Sequence, residues 1–208
     1  MYKEQARLSS SAHTAQPWRI HEIVPDFRLE DVWALPTPGA ADEFPILVEG
    51  FASADPAKTL PSAARALWSL RWKLGDLFGL DNRGSGLGSR VTTLRERLPD
   101  DLRATTGPAF ESLPFTSLYL TANEFAAEIA NQTMHGVLHL GWVAEGSCYR
   151  GQMAVYVRPN GLLGNAYMAA IKPFRYWVVY PQMLRAMERR WQERPDREVP
   201  STSNSASF

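Results

Sequence analysis

Between residues 115 and 157 the chain alternates apolar and polar positions through four stretches, 115–121, 124–130, 133–143 and 149–157. Alternation with a period of two is the mark of strands with one face in a core. The breaks between them, Ala122-Asn123, Asn131-Gln132 and Glu145-Gly146-Ser147, are short enough for neighbouring hairpins, so the pattern predicts an antiparallel meander. Parity assigns its faces. Leu118, Leu120, Phe125, Ala127, Ile129, Met134, Leu138, Leu140, Trp142, Tyr149, Met153, Val155 and Val157 share the side expected to be buried. Tyr119, Glu128, His135, His139, Arg150, Gln152 and Arg158 take the other side, expected to face outward.

From Gly161 to Arg190 the period changes to that of a helix, with Phe174, Trp177, Val178, Pro181, Leu184 and Trp191 along one stripe. Pro173 and Pro181 each remove a helical hydrogen bond and predict a late start or a bend. Upstream, 44–51 (FPILVEGF) reads as a strand with Pro45 at an edge or start, and 61–80 as a helix. That helix carries a core stripe of Leu67, Leu70, Leu74, Leu77 and Phe78, with Trp68 and Trp72 as a second ridge. Residues 81–114 lose clear periodicity and are expected to be a functional lid or a mobile insertion. The fold class expected is α+β, a curved antiparallel sheet wrapped around a long C-terminal helix. One domain is expected over 17–193, with mobile tails at 1–16 and 194–208.

Composition narrows the partners. The 208 residues carry 22 basic and 22 acidic side chains, so the total supplies no positive footprint for nucleic acid or an anionic membrane. No run reaches the roughly 18 apolar residues of a membrane span, and no secretory signal precedes the ordered part, which predicts a soluble protein. The single cysteine, Cys148, excludes an internal disulfide and a cysteine cluster, which suits a reducing compartment; the expected location is cytoplasmic. Oligomeric state is left open.

Motifs of known chemistry are sparse, and no cofactor is expected. Gly84-Ser85-Gly86-Leu87-Gly88-Ser89-Arg90 lacks the third glycine of a dinucleotide loop and the lysine of a phosphate loop, so it reads as a flexible connection. His135 and His139 share a strand face and could hold a metal if a carboxylate joined them, but a pair on the outward face, solvated or covered by a partner, is the expected reading. Cys148 has no histidine near it in sequence and reads as an inert thiol; Asp100-Asp101 read as solvated charge. Arg185, Arg189 and Arg190 complement the end of the last helix.

The aromatic residues carry more. Trp68, Trp72, Trp142, Tyr149, Tyr167, Phe174 and Trp177 either fill the core or line part of a cavity, with Met153 on the same buried side. Lys172 and Arg175 are candidate polar anchors, or else two exposed charges at a helix start.

Asn123-Glu124-Phe125, the strand of His135, and above all Gly164-Asn165-Ala166-Tyr167-Met168 leading into Ile171-Lys172-Pro173-Phe174 resemble a bacterial family of uncharacterised function. That family is placed with START lipid-transfer domains, birch-pollen allergens and polyketide aromatases, and the likeness covers roughly residues 44–191. It implies a helix-grip fold with a cavity between sheet and C-terminal helix, used in the superfamily for lipids, polyketides, hormones or other apolar molecules. Many members of the family are expected to carry a histidine after Lys-Pro-Phe, where this chain has Arg175, so chemistry resting on that histidine does not carry over.

Three functions follow as expectations. The first is a protein that binds a small apolar molecule. The second is a cofactor-independent enzyme of the cyclase or hydratase kind, in which Tyr149, Lys172 or Arg175 polarises a carbonyl. The third is an interaction module using the outer face around His135, His139 and Trp33.

Overall fold

Five antiparallel strands form one open sheet in the computed structural model, which describes residues 6–55, 91–131 and 133–194. The strands are β1 (Arg28–Ala34), β2 (Thr116–Leu120), β3 (Glu124–Ala130), β4 (Met134–Glu145) and β5 (Cys148–Pro159), in the spatial order β1-β5-β4-β3-β2. The meander of the sequence is therefore present, with β1 added beside β5. β4 and β5 pair without a break from Met134↔Pro159 to Glu145↔Cys148. Their two-residue turn places Gly146 at φ +63, a conformation that a side chain resists.

β1 escaped the periodicity because its register shifts between Leu29 and Asp31, which interrupts strict alternation. Residues 6–8 run along its free edge, where Ala34 N–H donates to Ala6 O at 2.7 Å and Leu8 N–H to Val32 O at 2.9 Å. The N-terminal residues from 6 onward, expected to be mobile, are thus tied to the sheet.

The segment expected as a first strand is instead the helix α3 (Phe44–Ala52), preceded by the short helices α1 (Ser11–Thr14) and α2 (Ile20–Ile23). Phe44, Leu47, Val48 and Phe51, spaced by three and four, are all buried, and Pro45 sits in the first turn, where its missing N–H costs nothing. Two dense apolar pairs over eight residues fit one helix face as well as a strand, and the proline decides between them. The helix expected at 61–80, with Trp68 and Trp72, lies outside the described residues, as do 81–90 and the C-terminal residues from 195. Residues 91–114 contain a 3-10 turn (Leu94–Arg97) and the short helix α4 (Asp100–Arg103), and they bury Leu94, Leu98 and Leu102 against the sheet.

The C-terminal helix has three parts: α5 (Gly161–Phe174), a π-helical turn (Arg175–Val179) and α6 (Tyr180–Gln192). α5 starts close against β4, and a Cβ on Gly164 would fall 2.2 Å from the Thr133 carbonyl oxygen, so only glycine permits the approach. The two prolines flank the π turn. A π turn inserts about one residue, which rotates everything beyond it by roughly 100°. The expected stripe fails there: Trp177 is 79% exposed, whereas Tyr180 and Trp191 are buried with the sheet residues Trp33, Met153 and Trp142.

Both faces of the sheet are covered. α3 and α6 pack on one face, with Phe125, Leu138, Leu140, Trp142 and Met153; residues 18–27 and 94–102 pack on the other, with Tyr119, Ala126, Val137, Ala154 and Tyr156. This overturns the outward placement of Tyr119, Glu128, His135, His139 and Gln152, each at most 2% exposed. Their polarity reflects pairing with one another and with the covering segments. Leu118 also leaves the face that parity gave it, because a register shift between Ser117 and Tyr119 breaks the alternation of β2.

Candidate functional site

A pocket of about 440 Å³ lies between the sheet and the α3, α5 and α6 helices. Its sheet wall is built by Ile129, Met134, Leu138, Met153, Val155 and Val157, and its helix wall by Leu47, Phe51, Met168, Ile171, Val179, Met183, Ala186 and Met187. The period of two supplies the first set, and the register beyond the π turn supplies Met183, Ala186 and Met187 of the second. Three methionines on the two helices give the wall adaptable side chains.

A buried polar cluster interrupts this apolar lining, and so does Gln182, whose Oε1 is buried without a hydrogen-bond partner among the described residues. Arg175, the first residue of the π turn, reaches across to β1, where its Nη2 donates to Asp31 Oδ2 and, at 2.6 Å, to the Tyr180 hydroxyl. The Tyr180 hydroxyl in turn donates to Asp31 Oδ2 at 2.8 Å. Asp31 pairs across the sheet with Val155 of the pocket wall, and its side chain is 1% exposed. Arg175 and Tyr180 both line the pocket. Burial, the main influence on the guanidinium, works against its charge, but Tyr180 and Asp31 outweigh it and hold the group protonated more firmly than usual. Burial also pushes the Tyr180 phenol up, against the pull of Arg175, so the hydroxyl stays a donor. Asp31 Oδ1 is buried without a hydrogen-bond partner among the described residues. Trp33 packs over Tyr180 with ring centroids 4.6 Å apart and holds the phenol in place.

The residues singled out from sequence are distributed unevenly around this space. Met153 and Arg175 line it. Trp142 is buried on the same face but packs with Phe44, Tyr149 and Trp191, and its N–H donates to Ala40 O at 3.0 Å. Tyr149 stacks on Trp142 and is not a lining residue. Lys172 and Trp177 are exposed. Trp68 and Trp72, and the side chains of Tyr167 and Phe174, lie outside what the structure describes. Neither Asp31 nor Tyr180 is among the candidate residues that the sequence pattern offers. The available signal was an aspartate at the parity of Trp33 within an otherwise apolar strand core.

The opposite face holds all four histidines of the chain. His139 Nε2 lies 3.1 Å from Glu124 Oε1, and His135 Nε2 lies 2.8 Å from Glu128 Oε2. Glu124 also accepts from the backbone N–H groups of Arg19 and Ile20, both at 2.9 Å, and from the Tyr119 hydroxyl. Glu128 accepts from Leu94 N–H at 3.1 Å and from the Thr93 hydroxyl. The two glutamates therefore fasten the two covering segments to the sheet. Burial, the largest influence on Glu124, pushes its pKa up, but the hydrogen bonds from His139, Tyr119 and Arg19 win and bring it down to about 2. Burial brings His13 down to about 3, helped by the neighbouring His139, and lowers His139 as well. At neutral pH His13 and His139 are uncharged and His139 Nε2–H donates to the Glu124 carboxylate. His13, stacked edge-on to His139 with centroids 4.9 Å apart, pairs its Nδ1 with Gln152 Oε1 at 2.7 Å.

The interaction-module expectation loses its surface here. His135 and His139 lie under segments of the same chain, and Trp33, 5% exposed, lies on the opposite face. Among the described residues no three His, Cys, Asp or Glu side chains converge as metal ligands would, and no helix is long and apolar enough to cross a membrane.

No curated protein and no solved structure matches the chain. A family model does, over residues 23–182, a span that takes in all five strands, α3, α5, the π turn and the Asp31, Arg175 and Tyr180 cluster. The chain belongs to that family, DUF2867, described as proteins of unknown function.

Proposed function

We propose that this protein binds a small, largely apolar molecule in the pocket between the sheet and the C-terminal helix. The observation that carries the reading is a space of about 440 Å³ walled mostly by aliphatic and methionine side chains, with the Asp31, Arg175 and Tyr180 cluster and the Gln182 amide as its buried polar groups. Ligand sites have this make-up and this size, with few polar groups in an apolar wall. Water in such a space finds few polar partners, and an apolar wall favours a guest. The START-like resemblance of the sequence supports the same class of ligand.

Titration calorimetry with a panel of twelve-carbon alkanes, ketones and fatty acids and of aromatic polyketides tests the reading, with Ala186→Phe as the control that fills the pocket. Saturable binding of at least one apolar compound is expected, weakened tenfold or more in Ala186→Phe. A panel without binding rules it out. In the enzymatic alternative the polarising group is Arg175, because of the three candidates only Arg175 lines the pocket.

A further inference from the structure

We infer that the ligand's polar end is a neutral oxygen acceptor, a carbonyl or ether-type group of an otherwise apolar molecule, held by Arg175 and not a carboxylate. The inference rests on the pocket being a binding site and deepens it. Arg175 spends one nitrogen, Nη2, on both Asp31 and Tyr180, and its Nε and Nη1 have no protein partner among the described residues. A planar guanidinium carries five N–H donors, so three remain for a guest. The charge is already answered. Arg175 and Asp31 form a closed pair of zero net charge, and Glu30, with a side chain only 9% exposed, adds a further negative influence on the guanidinium.

A carboxylate brought to the free donors would place a second negative charge beside Asp31, inside walls of aliphatic carbon. An uncompensated buried charge is far more costly than a buried dipole. A neutral acceptor takes the same N–H groups without that penalty, and a hydrogen bond from a charged donor is stronger than one between neutral groups. The other arginines on the pocket wall do not change this. Arg194 is paired with Glu43 at 3.2 Å, and Arg190 is exposed and bonded to Gly50 O at 3.1 Å, so it offers a head-out position at the mouth.

The test compares 2-dodecanone, dodecane and laurate on the full-length protein by calorimetry at pH 7.5, followed by the same series on Asp31→Asn and on the double variant Asp31→Asn with Arg175→Gln. In the wild type the ketone is expected to bind about tenfold tighter than the alkane, and laurate more weakly than the ketone. Asp31→Asn frees the guanidinium charge, so laurate affinity is expected to rise tenfold or more and overtake the ketone. In the double variant the ketone and the alkane are expected to converge. Equal binding of ketone and alkane by the wild type would overturn the inference and leave the pocket reading intact. Laurate binding at least as tightly as the ketone, and lost in Arg190→Ala, would put the head at the mouth and overturn it too. If none of the three binds, the pocket reading falls and takes the inference with it. The wild-type comparison stands even if a variant does not fold.

Discussion

The two faces of this sheet are made from the same strands and each buries a hydrophobic cluster, yet one borders a pocket and the other is fastened to its cover through buried polar side chains. On the pocket face the covering element is a helix that touches the sheet at Gly164 and again at Tyr180 and Trp191, leaving methionines and small residues between. On the histidine face the covers are two segments of short helical turns, fastened at their first backbone N–H groups by Glu124 and Glu128. A long helix satisfies most of its own backbone and can stand off from a sheet. A single turn cannot, because its first N–H groups have no partner within it and, when buried, need one from the strand beneath. The polar residues of the histidine face are the consequence, and the space on the other face is the freedom that a self-satisfied helix allows.

The largest expected difference between the faces is in polar truncation. Glu124→Ala leaves His139, Tyr119 and the backbone N–H groups of Arg19 and Ile20 without their acceptor, and is expected to cost about 3–5 kcal/mol. Denaturant unfolding followed by circular dichroism measures it. A loss below 1 kcal/mol would mean that the N-terminal cover contributes little and that the contrast between the faces is mistaken.

Acid should sharpen the same contrast. The unfolded chain takes up a proton at His13 near 6.5, but the folded protein does so only near 3; the unfolded chain protonates Glu124 near 4.5, the folded protein near 2. In both windows the unfolded state binds more protons, so stability falls as the pH drops, first from about 6.5 and then, more steeply, from about 4.5. Each group contributes at most about 1.4 kcal/mol per pH unit within its window. Unfolding free energies at pH 7, 5.5, 4.5 and 3.5 give the slope, and His13→Phe should flatten its upper part. A profile that is level from pH 7 to 4 contradicts the burial of these groups.

Two glycines on β4 compare the packing directly. Gly141 faces the Trp18 ring, where a Cβ would come within 2.6 Å; Gly136 faces the pocket side, where the nearest atom is the Met134 sulfur at 3.1 Å. Gly141→Ala must displace a buried indole and is expected to cost about 1–3 kcal/mol. Gly136→Ala meets a flexible side chain beside open space, so its effect should stay within about 0.5 kcal/mol. Equal costs at the two sites would show that the pocket face is as tightly packed as the other.

How much of this was legible in the sequence follows from which interactions are local. The meander was readable because alternation and hairpin turns are short-range, and the pocket's sheet wall came out of parity alone, from Ile129 through Val157. The second burial of the sheet was not readable, because a polar residue at every other position looks the same whether it meets water or a glutamate from the next strand. His135 and Glu128 sit on neighbouring strands, two positions apart in the count of pairs, and only the register brings them together. Asp31 and Tyr180 were invisible for a similar reason: 149 residues separate them, and a β-bulge on one side and a π turn on the other decide that they meet.

The smallest expected effect is the sharpest check on that π turn. Without it, Trp177 belongs to the buried stripe with Trp191, and truncating either would cost about 3–5 kcal/mol as for any large core aromatic. With it, Trp177 is 79% exposed while Trp191 is 6% exposed and donates its N–H to Pro38 O at 2.7 Å. Trp177→Ala should therefore change stability by no more than about 0.5 kcal/mol, and Trp191→Ala by the full core amount. The two variants can share one denaturation experiment, and tryptophan emission adds a second readout, since loss of the exposed indole removes the red edge of the spectrum. If Trp177→Ala is the more damaging of the pair, the helix runs through residues 175–179 without the extra residue. In that case Tyr180 turns away from Arg175 and Asp31, and the polar cluster of the pocket loses its phenol.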